Sequence, residues 1–328
     1  MKYPPCQKHA MVLIVVVYIV ATLSALAVAL SFRSRAAIKS STFLIEKIQQ
    51  DEIAHAICVQ ACYMLGVDDQ NVDSPDETWA NLHRFMPPDA NGWEVDWKLI
   101  DESSKININL AYPDMLLRLK PLDEATVASI MDWLDPDDVP NPDGAEDSYY
   151  VSLESGYNCK NGAIDNIAEL LLIKGISPQI YYGSNLAGQE NSIGLNNLLT
   201  IYGDGKININ TASKTVLDTI PLLCDAAVDE IISRQTSPTG KFSSMDDIEK
   251  NDNFTAADKL TLMQIAKFNS NHFQIQIKIK NKAQNIQSEY LVIIERQDLN
   301  TKILNWQRRA PALPKDKTAL THNIYLQE

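Results

Sequence analysis

The residues best placed to do chemistry lie in one short stretch, "DWLDPDDVPNPDGAEDSYY", where Asp132, Asp135, Asp137, Asp138, Asp143, Glu146 and Asp147 fall within sixteen residues. No Lys or Arg occurs from Leu122 to Cys159 to neutralise them. Most charge runs are solvated surface. Here, however, Pro136, Pro140, Pro142 and Gly144 fix a turning path, and Trp133, Tyr149 and Tyr150 bracket it, so the loop is expected to pack against a body. Carboxylates packed together require a cation. Carboxylate and carbonyl oxygens on an irregular loop, with no His or Cys nearby, suit a hard cation, and Ca2+ rather than zinc or copper. The candidate ligands are Asp132, Asp135, Asp137, Asp138, Glu146 and Asp147. Their spacing is not that of the helix-loop-helix calcium loop. A second acidic turn, "YGDGKIN" from Tyr202, is weaker and is assigned no metal.

Other chemistry finds no support. The sequence offers no nucleophile with an adjacent base, no Gly-rich phosphate loop in a strand-helix frame and no carboxylate pair in an apolar run, so the chain is not read as an enzyme. Of the five cysteines, Cys58 and Cys62 stand one helical turn apart, where a disulfide is geometrically poor, and they are expected to pack as small hydrophobes. Cys159 and Cys224 form a candidate disulfide pair if the body lies in an oxidising compartment. None of the cysteine spacings resembles a zinc ligand pair.

The elements that must position the acidic loop begin with a membrane segment. Met11 to Phe32 carry no charge, Pro or Gly, and 22 helical residues cover the hydrocarbon core of a bilayer. A cleavable secretory signal is the alternative, with Lys2 and Lys8 as its basic start. Against it, no Gly or Pro occurs from Cys6 to Leu65, and apolar residues continue at Leu44, Ile45, Ile48, Ile53 and Ile57. One helix is therefore predicted to run out of the membrane into a globular body. Basic residues flank both ends of the span, so charge bias does not set its orientation.

Alternation in "NGWEVDWKLI" and again in "HFQIQIKIKNK" and "EYLVIIERQD", followed by "KILNWQRR", predicts strands that bracket a helical interior over residues 105–268. The fold expected is α+β: a long N-terminal helix, an antiparallel sheet from residues 67–104 and 269–310, a large all-helical insert between strands, and a tail over 311–328. The insert contains an internal echo. "KININLAYPDMLLRLKPLDEATVASIMDWL" from Lys105 and "KININTASKTVLDTIPLLCDAAVDEIISRQ" from Lys206 each run from an extended piece through helix, turn and helix, in the manner of a helix-hairpin-helix repeat.

Such a hairpin binds DNA when Gly at its turn lets bare backbone N–H groups approach a phosphate. Neither turn here contains Gly, and Asp123, Glu124, Asp225, Asp229 and Glu230 surround the positions a phosphate would take. The formal net charge of −13 adds a field of the wrong sign. Nucleic acid is not an expected partner.

The basic leader, the uninterrupted apolar helix, "DWLDPDD…GAEDSYY", "IAELLLIKG" and "LLTIYGDGKININTAS" together resemble the K family of type II secretion proteins, a minor pseudopilin family. The resemblance covers nearly the whole chain. It implies a prepilin-like protein of the inner membrane with a cytoplasmic N-terminus, a leader over 1–10 cleaved between Ala10 and Met11, methylation, a span over 11–32, and a periplasmic helix over 33–66. It further implies a periplasmic body with bound calcium in its helical domain, and assembly with the I and J minor pseudopilins and other secretion components at the filament tip. Ala10 departs from the Gly usual in the family at that position, and Val15 replaces the Glu that major pseudopilins carry at mature position five. The alternative class is a membrane-anchored helix-hairpin-helix DNA receptor of competence type, which would need the basic face and Gly-bearing turns that are missing.

Overall fold

The computed structural model describes residues 7–80, 92–184, 192–237, 240–282, 287–297 and 300–309. Residues 1–6 of the expected leader, residues 81–91 of the first sheet segment and the expected tail over 311–328 lie outside the described residues. The chain divides into two compact units, Met1–His55 and Ala56–Glu328.

Helix α1, Gln7–Val67, is continuous, as a segment free of Gly and Pro allows. At ~1.5 Å per residue it is about 90 Å long. Within the first unit its side chains from Met11 to Phe32 are exposed, and it is long and apolar enough to cross a membrane. In the second unit the last turns of α1 bury Ile57, Cys58, Ala61 and Leu65.

The body contains a four-stranded antiparallel sheet: β1 (Trp93–Asp101), β2 (His272–Asn281), β3 (Gln287–Gln297) and β4 (Asn300–Arg309), adjacent in that order. The alternation read from the sequence becomes two faces. Phe273, Ile275, Ile277 and Ile279 of β2 are fully buried, as are Val292 and Ile294 of β3. Each such side chain contributes ~1.5–3 kcal/mol of burial. The residues between them, Gln274, Gln276 and Lys278 on β2 and Ile293 on β3, take the opposite face. Between β1 and β2 the chain leaves the sheet to build the helical insert.

The insert is less purely helical than its pattern suggests. It contains α2 (Pro113–Leu117), α3 (Glu124–Leu134), α4 (Asp147–Tyr150), α5 (Pro178–Tyr182), α6 (Leu195–Leu198), α7 (Lys214–Leu217), α8 (Asp225–Gln235), α9 (Met245–Glu249) and α10 (Ala256–Ile265). The "IAELLL" segment is a 3-10 helix, and three two-residue strand pairs interleave with the helices. The echo in the sequence is an echo in structure. Ile106–Asn107 pairs in parallel with Leu199–Thr200, and Ile207–Asn208 with Ala266–Lys267. In each copy the second Asn of "NIN" clamps one distant residue through both its backbone groups: Asn109 holds Ile164 at 2.8 and 3.0 Å, and Asn210 holds Phe242 at 2.9 and 2.9 Å. The first Asn turns its carboxamide oxygen onto the backbone N–H of the second in both copies. The repeated motif is thus a set of backbone clamps, which satisfies buried loop groups without regular ladders.

Candidate metal centre

Asp132 stands in the last turn of α3, with Trp133 beside it buried against Tyr150 and Tyr157. The loop that follows folds back over it. Asp132 Oδ1 accepts hydrogen bonds from the Asn141 backbone at 3.0 Å and side chain at 2.6 Å, while Oδ2 accepts one from Ala145 N at 2.6 Å. Asp143 takes a left-handed backbone (φ 64°), which Asp tolerates, and Gly144 lies so close that a Cβ there would fall 2.0 Å from Asp132 Oδ2. Lys174 closes the outside of the turn, but through the carbonyls of Asp143 and Gly144, at 3.0 and 2.9 Å.

This folding brings together oxygens of Asp132, Asp135 and Glu146 within 4.8 Å of one another. Asp132 is fully buried and Glu146 is 2% exposed. Asp135 Oδ1 and both carboxylate oxygens of Glu146 are buried and accept no well-formed hydrogen bond. Among the described residues no Lys or Arg forms an ion pair with any of the three. Burial holds the Glu146 carboxyl above the usual carboxylate range, with repulsion from Asp132, Asp135 and Asp138 adding to it, although the nearby Cys159 thiol works the other way. Asp135 is raised by burial and by Asp137. Buried oxygens without donors, converging at this distance, are what a hard cation requires of a protein.

The other three candidate ligands have different partners. Asp137 is exposed and accepts from Val139 N at 2.9 Å, Asp138 accepts from Asn161 Nδ2 at 2.7 Å, and Asp147 accepts from Cys159 N at 2.6 Å. They shape the loop around the centre. Cys159 and Cys224 are not paired. Cys159 is a buried free thiol directed at the Asp132 carbonyl and pushed up to about 12 by burial, and Cys224 is a free thiol against the Asp258 carboxylate. Composition and spacing missed Asn141, which anchors Asp132, and the need for Gly at 144. They also missed a second carboxylate group, Asp68, Asp73 and Glu77, because these acids are ordinary in number and their association is purely tertiary. Ala10 and Met11 both lie within α1.

The second unit is thus a four-stranded antiparallel sheet with a helical domain, carrying an acidic pocket, inserted between β1 and β2; the first unit is a long apolar helix. Residues 104–183 match the family of type II secretion system protein K. Relatives with that description occur in Escherichia coli K12, at 27% identity over 58% of this chain and 67% of the relative, and in Klebsiella pneumoniae, at 25% identity over the same shares. Another, from Pectobacterium carotovorum, is 28% identical over 32% of this chain and 38% of its own length. A chain in the crystal structure of the GspK–GspI–GspJ complex from enterotoxigenic E. coli superposes with a TM-score of 0.63 at 18% identity, covering 82% of this chain and 99% of that one. Residues 104–183 thus carry a domain similar to that of type II secretion system protein K, and the fold around them is similar to that of the solved chain.

Proposed function

We propose that the protein is a minor pseudopilin of a type II secretion system, capping or initiating the periplasmic pseudopilus through which folded proteins are exported. The observation that carries this reading is the agreement of the fold with a chain of the GspK–GspI–GspJ complex, over 82% of this chain and 99% of that one. Residues Met11–Phe32 anchor it in the inner membrane, with the N-terminus cytoplasmic and the body periplasmic. Its partners are the I and J minor pseudopilins and other secretion components of the same membrane. Two features favour the filament end. A subunit inside a helical stack repeats its contacts above and below, and the insert between β1 and β2 occupies space a following subunit would need. Val15, fifth from Met11, leaves no carboxylate in the membrane that would call for a neighbour's amine.

The centre at Asp132, Asp135 and Glu146 would hold Ca2+, which supplies the missing positive charge and fixes the acidic loop against α3. No chemical turnover is assigned to it. Immunoprecipitation of the full chain from membranes of its own organism tests the assembly. Recovery of the I and J pseudopilins supports it, whereas a protein recovered without them that binds duplex DNA with a steep salt dependence would favour the receptor reading.

A further inference from the structure

On the face of the sheet opposite the buried isoleucines, Gln274 and Ile293 are buried, and the residues farther along the strands border a cleft. Strand register lays the residues of this face out in three rows running across β2, β3 and β4: Gln274, Ile293 and Asn305; then Gln276, Leu291 and Gln307; then Lys278, Glu289 and Arg309. In the first two rows carboxamides stand on both sides of an aliphatic side chain. The insert faces the second and third rows across a cleft of about 670 Å³, to which it contributes Asn166, Asn196, Asn197, Tyr181 and Tyr182. Further in, a recess of about 60 Å³ reaches the buried Glu102–Lys105 pair and Thr200.

We propose that this cleft binds a short neutral oligosaccharide. A sugar ring has an apolar C–H face and a rim of hydroxyls, each both donor and acceptor. The second row matches that pattern, with Leu291 as floor and the Gln276 and Gln307 carboxamides, which also offer a donor and an acceptor each, on either side. Asn196 Oδ1 is buried and accepts no hydrogen bond, and a ligand hydroxyl would satisfy it. Tyr182, at the rim and 60% exposed, offers a ring face. Charge argues against an ionic ligand. Glu289 offsets one of the two cations in the third row, and Glu102 and Lys105 neutralise each other. The volume lies within the range of small-molecule sites and accommodates two or three rings.

The inference goes beyond the secretion reading, which stands whether or not the cleft is occupied. Its test uses the full chain in lipid nanodiscs, free of glycoside detergent, with saturation-transfer NMR on chitotriose, cellotriose and maltotriose and on an uncharged Ser/Asn hexapeptide. At least one trisaccharide is expected to receive magnetisation at its C–H protons. Replacing both Gln276 and Gln307 by Leu should weaken binding at least about tenfold, the loss of two modest hydrogen bonds. Tyr182→Ala, at an exposed position, should weaken it as well without altering the melting curve. Absence of transfer to all three sugars at about 10 mM, beyond millimolar affinity, overturns the proposal. So does binding that is indifferent to both variants, or binding of the peptide alone.

Discussion

Asp68, Asp73 and Glu77, just past the end of α1, form a carboxylate triad as tight as that of Asp132, Asp135 and Glu146, with oxygens within the same 4.8 Å. The first triad carries its own cations. Buried Arg296 bonds Asp73 and approaches Asp68 at 3.6 Å, and Lys241 meets Glu77 at 2.9 Å. In the second, Asp132 accepts from Asn141 and from backbone N–H groups, Asp135 Oδ1 and both Glu146 oxygens accept no well-formed hydrogen bond, and among the described residues no Lys or Arg pairs with any of the three. Proximity of acids is therefore a poor sign of a metal. Asp68 Oδ2 and Asp73 Oδ1 also accept no hydrogen bond, so the informative quantity is whether a protein cation stands against the buried carboxylates, as Arg296 does in the first triad alone.

The largest effect should come from the internally neutralised triad. Arg296→Met leaves Asp73, which is fully buried, without its counter-charge and should lower the unfolding free energy of the body by ~3–5 kcal/mol, measured by denaturant titration of the full chain in nanodiscs. Added Ca2+ should not restore it. Rescue by Ca2+ would mean that both triads are metal sites and would break the contrast.

At the other triad the loss should follow the metal. Chelation should lower stability by ~2.7 kcal/mol relative to Ca2+ at a hundred times its Kd. Asp135→Ala or Glu146→Ala should abolish the difference between calcium and chelator. Equal melting temperatures in calcium and chelator for the unmutated chain would refute the assignment. Gly144→Ala sharpens the point, because its methyl would overlap Asp132 Oδ2. Its expected cost is ~1–3 kcal/mol, with weaker calcium binding in a calorimetric titration.

What the sequence made legible follows from local physics. An unbroken helix shows in the absence of Gly and Pro up to Leu65, the strands show in the alternation of "HFQIQIKIK", and the repeat shows in two copies of "KININ". The lack of a neutralising Lys or Arg at the acidic loop was readable because it is a property of one contiguous segment. Which carboxylates converge was not, since that depends on Asn141 reaching back to Asp132 and on the space left by Gly144. Arg296 lies 223 residues from Asp73, and the amide rows exist only once the register of three strands is set. These are tertiary facts with no local signature.

A smaller effect distinguishes the triads by pH. Burial raises the Asp73 carboxyl to about 7, even beside Arg296. A carboxyl that binds its proton more tightly in the folded chain contributes stability that is complete below its unfolded value and is lost as pH rises through about 7. Asp73→Asn should flatten that slope in stability measured across pH 4 to 8. The calcium-dependent stabilisation should run the other way, weakening as pH falls, because metal ligands must be deprotonated. Parallel slopes would show that the two triads are not electrostatically distinct.

Counting this chain in the filament decides whether it is an end subunit of a pseudopilus. Purified pseudopili carrying a labelled copy of the protein should show one molecule per filament, at one end and together with I and J pseudopilins. Many copies distributed along the shaft would make it a shaft subunit instead.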